Sequence, residues 1–308
     1  MSDQPPNYCD LQVNGYGGVD FNQEDLTAAK LQKACERIQA DGTTAFLATI
    51  VTEKLELMCG RLKRLAELRE ELPLAKKLIP GFHVEGPFIN EEVGYKGAHP
   101  VDSIRPAKPD EMKQLLEAGR GLVKLVTLAP ERDAGMQTTR LLAKQGIIVS
   151  AGHCNASLDE LKAGLDGGLS MYTHLGNGCP MNMNRHDNIV QRVLSFAGKL
   201  WICFIADGAH IPFFALQNYL KVAGFERTIV VTDAIAPAGL GPGTYTLGRW
   251  TLKIGEDMVA RAPDGSHLVG SAISMPISME RLVKHVGLTR EQGLQLTSAN
   301  PFKALAGK

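Results

Sequence analysis

Eight short runs rich in β-branched and aromatic residues recur along this chain, each separated from the next by a longer stretch with helical periodicity. They read YCDLQV (8–13), TAFLATI (44–50), IPGFHV (79–84), LVKLVTL (122–128), IIVSAG (147–152), SMYTHL (170–175), WICFIA (201–206) and TIVVTD (228–233). Amphipathic segments such as 24–40, 53–72, 133–145 and 212–223 supply the crossovers that parallel strands require. Eight strands alternating with helices is the count of a closed α/β barrel of the (β/α)8 TIM type. A doubly wound open sheet is the alternative, but no G-x-G-x-x-G follows the first run. Ser157 with Glu160, and Thr289 with Gln292, have the spacing of capping boxes that open helices.

The 308 residues suffice for a single barrel, which needs roughly 250, so one catalytic domain over 1–308 is expected. One segment departs from the alternation. Residues 239–268, GLGPGTYTLGRWTLKIGEDMVARAPDGSHL, read as a β-hairpin excursion over the rim after the eighth strand. Lys+Arg and Asp+Glu are both 33, so no bulk charge attracts nucleic acid or an anionic membrane. The six cysteines, at 9, 35, 59, 154, 179 and 203, form no CxxC pair and are expected as reduced thiols. The N-terminus lacks the basic start and apolar stretch of a signal peptide, and no apolar run approaches the ~18 residues of a membrane helix. A cytoplasmic location is therefore expected.

Ligand-type side chains collect where the runs end. Gln12 and Asn14 follow the first, Glu85 the third, His153 the fifth and His174 the sixth; Asp207 and His210 follow the seventh, and Asp233 ends the eighth. In a parallel barrel all these ends meet at one mouth. Glu85, His153 and His174 offer a carboxylate oxygen and two imidazole nitrogens. That set suits one divalent ion, Zn²⁺ first and Fe, Co, Mn or Ni on the same donors, with a position left open for water. Singly, each has an ordinary structural explanation: a histidine satisfied in the core, or a carboxylate capping the next helix. Four such coincidences on the same end of the barrel are a much weaker account. Buried beside a cation, Glu85 stays ionised. His99, in YKGAHP, lies on the loop after the third strand within reach of substrate, and His83 either lines the mouth or packs. His186, His267 and His285 read as surface or loop positions without assigned roles. The glycines of NGYGGVDF (14–21) indicate a tight turn, since no Lys-Ser/Thr completes a phosphate loop.

Read in order, DLQVNGYGGVDF (10–21), GFHVEGPFIN (81–90), KGAHP (96–100), LAPE (128–131), GHCNAS (152–157), THLGNGCP (173–180), DGAHIP (207–212), VTDAIAPAG (231–239) and GSAISM (270–275) resemble the N-acetylglucosamine-6-phosphate deacetylase family of the amidohydrolase superfamily. The resemblance spans residues 10–306. It implies a metal held by Glu85, His153 and His174, with Asp233 as catalytic acid/base. It also implies that His210 holds the substrate and polarises its carbonyl, that His99 contacts the sugar, and that Asn177 and Gly178 lie near the phosphate. Arg185 stands where family members carry an arginine that binds phosphate from a neighbouring subunit, which implies a homodimer.

Three departures from the family pattern follow. Gln12 and Asn14 occupy the places of the His-x-His that supplies a second metal in many amidohydrolases, so one ion is expected. Gly176 and Cys179 replace an aromatic and a methionine, which loosens the pocket. The small β-sandwich domain of the family is expected to be missing. The expected reaction is metal-dependent deacetylation of N-acetylglucosamine 6-phosphate to glucosamine 6-phosphate and acetate. The alternatives are another amidohydrolase acting on a different N-acyl sugar or cyclic amide, a metal-free isomerase or lyase, and a non-catalytic sugar-binding barrel. Of these, the isomerase or lyase lacks a lysine at a strand end, since Lys124 sits mid-strand.

Overall fold

A computed structural model of the chain describes residues 7–247, 250–261 and 268–307. Eight parallel strands run in sequence order: β1 (Tyr8–Val13), β2 (Thr43–Val51), β3 (Gly81–Glu85), β4 (Val123–Leu128), β5 (Ile148–Ala151), β6 (Leu169–Tyr172), β7 (Trp201–Ile205) and β8 (Thr228–Val231). Each overlaps one of the eight runs, and helices fill the intervals, as in a (β/α)8 barrel. Period-two alternation sorts the strand side chains into two layers. Phe46, Phe82, Val84, Val126, Phe204 and Val230 join Leu31, Leu62, Met112, Leu142 and Leu216 of the helices in one core. Leu47, Leu125, Met171, Cys203 and Ile229 belong to a second cluster in the other register.

Local chemistry sets the helix starts. The helix expected from 24 begins at Ala28, because the Thr27 side chain accepts a hydrogen bond from Lys30 N. That expected from 133 begins at Gln137, because the Asp133 carboxylate accepts from Thr138 N and Thr139 N at 3.0 and 2.8 Å. Both capping boxes form, at Ser157/Glu160 and Thr289/Gln292.

The barrel closes differently from the way its other neighbours pair. Between β8 and β1 there is an isolated parallel bridge, Val13 with Ala234, and Asn14 N donates to Ala234 O at 2.7 Å. Below it, the Asp10 carboxylate accepts from Gln12 N and Thr232 N, both at 3.2 Å, and from Thr232 Oγ1. A side chain thus stands in for a backbone ladder. After β8 comes a four-stranded antiparallel sheet, β9 (Gly243–Leu247), β10 (Trp250–Ile254), β11 (Val259–Arg261) and β12 (Leu268–Ser271). The excursion expected over 239–268 falls on this sheet; its residues 248–249 and 262–267, His267 among them, lie outside the described residues. Among the described residues no helix is long and apolar enough to cross a membrane.

Candidate active site

The strand ends deliver the polar side chains with a common offset. His153, His174, Asp207 and Asp233 each stand two residues past the last residue of β5, β6, β7 and β8, and Glu85 is the last residue of β3. All of these but Asp207 meet at a cavity of about 190 Å³. A water occupies ~30 Å³ in the liquid, so this space admits more than a few solvent molecules. Its wall includes Asn14, Asp20, Asn22, Thr52, Glu85, His99, His153, His174, Asn177 and Asp233.

Glu85 is the hub. Its Oε1 lies 2.9 Å from His174 Nε2 and 3.4 Å from His153 Nε2, and accepts from Gln12 Nε2 at 3.0 Å. Burial opposes its ionisation, but His153 and His174 outweigh burial and hold it well below the ordinary carboxylate range. His153 Nδ1 donates to Tyr95 O at 2.7 Å, which leaves the Nε2 lone pair free to ligate. Gly97 (φ +56°) and Gly178 (φ +61°) press on that ring: a Cβ at either would come within 3.0 Å or less of it. Tetrahedral coordination with bonds of ~2.1 Å separates donors by about 3.4 Å, near the two separations that His153 and His174 make with Glu85. His99 brings a further imidazole, and one donor atom each of Glu85, His99 and His153 lie within 4.8 Å of one another. Burial first, and His153 second, push His99 down to about 3, so its ring is neutral.

Asp233 accepts from Asn14 Nδ2 at 2.7 Å. Burial, then the charge of Glu85, raises it above the ordinary aspartate range. The two amides that stand where some barrels of this kind carry histidines therefore each donate to one acid, Gln12 to Glu85 and Asn14 to Asp233.

His210 does not contribute to the cavity wall. Its ring is buried, with Nδ1 2.6 Å from Asp207 Oδ2 and Nε2 without a partner. Burial opposes its protonation, but Asp207 outweighs burial and raises it, with a smaller contribution from nearby Asp233. Asp207 is thus the orienting partner of His210, a role the sequence reading left unassigned. His83 lies beneath the cavity rather than on its wall. It is fully buried, and burial pushes it down to about 4. It starts a hydrogen-bonded chain through Thr127 (2.8 Å) and Thr173 (2.7 Å) to Ser150 (2.6 Å). Arg185 is exposed on the loop between β6 and the helix Ile189–Leu194, outside the wall. His186 and His285 are exposed too, the latter stacked on Phe213 at 4.8 Å.

Sequence reasoning missed Asp20, Asn22 and Thr52. The turn read from NGYGGVDF is a small pair, Gly15–Tyr16 with Val19–Asp20, which brings Asp20 and Asn22 to the wall. The signal was the D-x-N itself: Asp20 accepts from Asn22 N at 2.8 Å, and Asn22 accepts from Val51 N at 2.9 Å.

Scanned against protein-family models, the chain matches none. It is 32% identical over 308 residues to the N-acetylglucosamine-6-phosphate deacetylase of Bos taurus, covering 97% of this chain and 74% of that protein. It is 29% identical over 301 residues to the N-acetylgalactosamine-6-phosphate deacetylase of Escherichia coli O157:H7, covering 97% and 77%. Among solved structures it is similar to the Mycobacterium smegmatis N-acetyl-D-glucosamine-6-phosphate deacetylase variant in complex with N-acetyl-D-glucosamine-6-phosphate. The TM-score is 0.87 at 28% identity, over 98% of this chain and 77% of that one. The Thermotoga maritima N-acetylglucosamine-6-phosphate deacetylase gives a TM-score of 0.83 at 29% identity, over 98% and 78%.

Proposed function

Because the chain belongs to the N-acetylglucosamine-6-phosphate deacetylase family of the amidohydrolase superfamily, we propose that it is a metal-dependent hydrolase that removes the acetyl group from an N-acetyl amino-sugar phosphate. N-acetylglucosamine 6-phosphate is the first-choice substrate, with glucosamine 6-phosphate and acetate as products. The observation that carries the reading is the convergence of Glu85, His153, His174 and Asp233 on one cavity. Glu85 Oε1, His153 Nε2 and His174 Nε2 would hold one divalent ion, zinc in the first instance. When bound, such an ion polarises the amide carbonyl and acidifies water.

The other steps belong to side chains. Asp233, held by Asn14, takes the proton from the attacking water and passes it to the amine nitrogen, whose departure requires protonation. His210 stands just outside the wall; with Nδ1 donating to Asp207, which favours its protonated form against burial, the imidazolium carries a second proton on the unpartnered Nε2, and that N–H would be the donor that steadies the developing oxyanion. Gln12 and Asn14 donate their amide N–H groups to the two acids, and their amide oxygens are poorer transition-metal ligands than the imidazoles they replace, which favours one ion per chain.

Phosphate recognition calls for a cation, and among the described residues the wall carries no Lys or Arg. Exposed Arg185, on the loop that also bears Asn177, supplies it to the neighbouring subunit of a homodimer, while Asn177, Gly178 and His99 line the sugar's path. We take the location as cytoplasmic, from the reduced cysteines.

The test is acetate release from N-acetylglucosamine and N-acetylgalactosamine, each with and without 6-phosphate, beside metal analysis. About one ion per chain, lost in His153→Ala and His174→Ala, with turnover confined to a phosphorylated sugar, is the expected result. Two stoichiometric ions, active metal-free protein, or no acetate from any of the four sugars would overturn the reading.

A further inference from the structure

His210 is oriented by a turn that closes on itself. Asp207, two residues past β7, accepts on Oδ1 from Ala209 N and His210 N at 2.9 and 2.8 Å, and on Oδ2 from His210 Nδ1 at 2.6 Å. An aspartate that bonds the backbone two and three residues on makes a compact local unit. All three bonds lie within residues 207–210, so they fix the ring to its own turn and leave open where that turn sits. The hold from outside comes from the helix Met275–Arg281, which follows β12. Arg281, its last residue, donates from Nη1 to Asp207 O at 2.7 Å and from Nη2 to Asp257 O at 3.0 Å, the latter in the turn between β10 and β11. The residues that continue the helix add a second contact. Gly208 has φ +74°, and a Cβ there would lie 2.4 Å from the Phe213 ring, which is itself stacked on His285 at 4.8 Å with 12° between the planes. The turn is thus gripped at two consecutive residues, Asp207 by Arg281 and Gly208 by Phe213 backed with His285.

We infer that Arg281 is a positioning residue for His210, acting through the Asp207 carbonyl to set where the Nε2 proton points. This rests on the oxyanion role proposed above for His210 and goes beyond it. Arg281 is not part of the cavity wall, so any effect on the reaction must pass through the turn it holds. A guanidinium suits the task because its donors form a rigid planar fork, and two carbonyls held at once fix an angle as well as a distance. A hydrogen bond from a charged donor is also roughly twice as strong as a neutral one. The fork joins the end of β7 to the antiparallel sheet whose β12 residues Leu268, Val269 and Gly270 line the cavity. The donor that meets the oxyanion and this part of the wall are therefore registered against each other by one side chain. Such registration matters because a misplacement of about 1 Å at a reacting centre costs on the order of 100-fold in rate.

The test is a cycle of wild type, Arg281→Met, His210→Ala and the double variant, each loaded with zinc and assayed for acetate release from N-acetylglucosamine 6-phosphate. Arg281→Met is expected to lower kcat by about 10–100-fold and leave KM within about twofold, because the contact serves the transition state and not substrate binding. In the His210→Ala background the same substitution should change kcat by less than about twofold, since no ring remains to be misplaced. Arg281→Lys, which keeps the charge without the fork, should show the same pattern at smaller amplitude. Equal factors in both backgrounds, a change confined to KM, or full kcat in Arg281→Met would each overturn the inference. Proton NMR of the zinc-loaded protein addresses the same point without substrate. The His210 Nδ1–H bonded to Asp207 is expected as a downfield imidazole resonance that is missing from His210→Ala. It should shift or broaden in Arg281→Met, and an unchanged line would also overturn the inference. Absence of acetate from wild type would instead sink the deacetylase reading and leave the NMR comparison to decide what Arg281 holds.

Discussion

His153, His174 and Asp233 have φ values of +49°, +34° and +51°, three of the six non-glycine residues in the left-handed region among the described residues. Such conformations cost of order 1–3 kcal/mol each and persist where the surroundings over-determine them. Here they do. Asn90 N donates to His153 O at 2.9 Å, Asn177 N to His174 O at 2.9 Å, and Ser271 N to Asp233 O at 3.0 Å. The strain turns each side chain into the mouth just after its strand ends, where a β conformation would send it elsewhere. Asp233→Asn keeps the shape and leaves an oxygen for Asn14 Nδ2, but carries no proton between water and amine. Turnover is expected to fall ~10²–10⁴-fold with the metal content and melting temperature unchanged. Near-normal turnover in that variant would make Asp233 a structural cap.

At the scale of elements, the barrel depends on the junction of β8 with β1, where one carboxylate replaces a ladder. Asp10 binds both sides of that junction through Gln12 N and Thr232, and Thr232 Oγ1 accepts in turn from Ala234 N at 3.1 Å. Asp233 lies between the two residues so held. Burial is the main reason that Asp10 is raised from the usual 3.8 to about 7. The folded chain therefore binds a proton there that the unfolded chain releases, and the stability this adds is complete below pH 3.8 and lost as pH rises through 7. Asn at position 10 has no such dependence. The stability of Asp10→Asn relative to wild type should thus increase from pH 4 to pH 8, with roughly 4 kcal/mol as the ceiling. Urea unfolding of both proteins at the two pH values measures the difference, and parallel stability curves would contradict it.

For the whole molecule, the open question is charge. The cavity wall holds Asp20, Glu85 and Asp233, and among the described residues no cation, while Arg185 is exposed outside it. A doubly charged phosphate favours the planar fork of a guanidinium. The chain should therefore be a dimer by light scattering. Arg185→Ala should raise KM for the phosphorylated sugar by about 10–100-fold, the loss of one charge-assisted contact, and leave the unphosphorylated sugar nearly untouched. Mixing Arg185→Ala with Asp233→Asn chains restores one intact site per heterodimer only when the arginine acts in trans. A fully active monomer, or equal losses on both sugars, would remove the dimer from the account.

The chain's periodicity alone determined the eight strands, their order, and the ligand-type residues just past their ends, because these follow from local spacing and from the convergence of parallel strands. Glu85, His153, His174 and Asp233 were legible for that reason. What lay beyond it depends on contacts between residues far apart in the chain. Asp20 and Asn22 reach the wall because a two-residue β-pair folds back, too short to leave a periodic signal. Which nitrogen of His153 carries the proton is set by a carbonyl 58 residues away. The placement of His99 against His153 comes from the path of a loop without regular structure. Spacing along the chain carries strand ends to a common mouth; the tautomer of His153 and the closing carboxylate of Asp10 are settled only once the barrel is shut, because each is defined by an atom from a distant part of the chain.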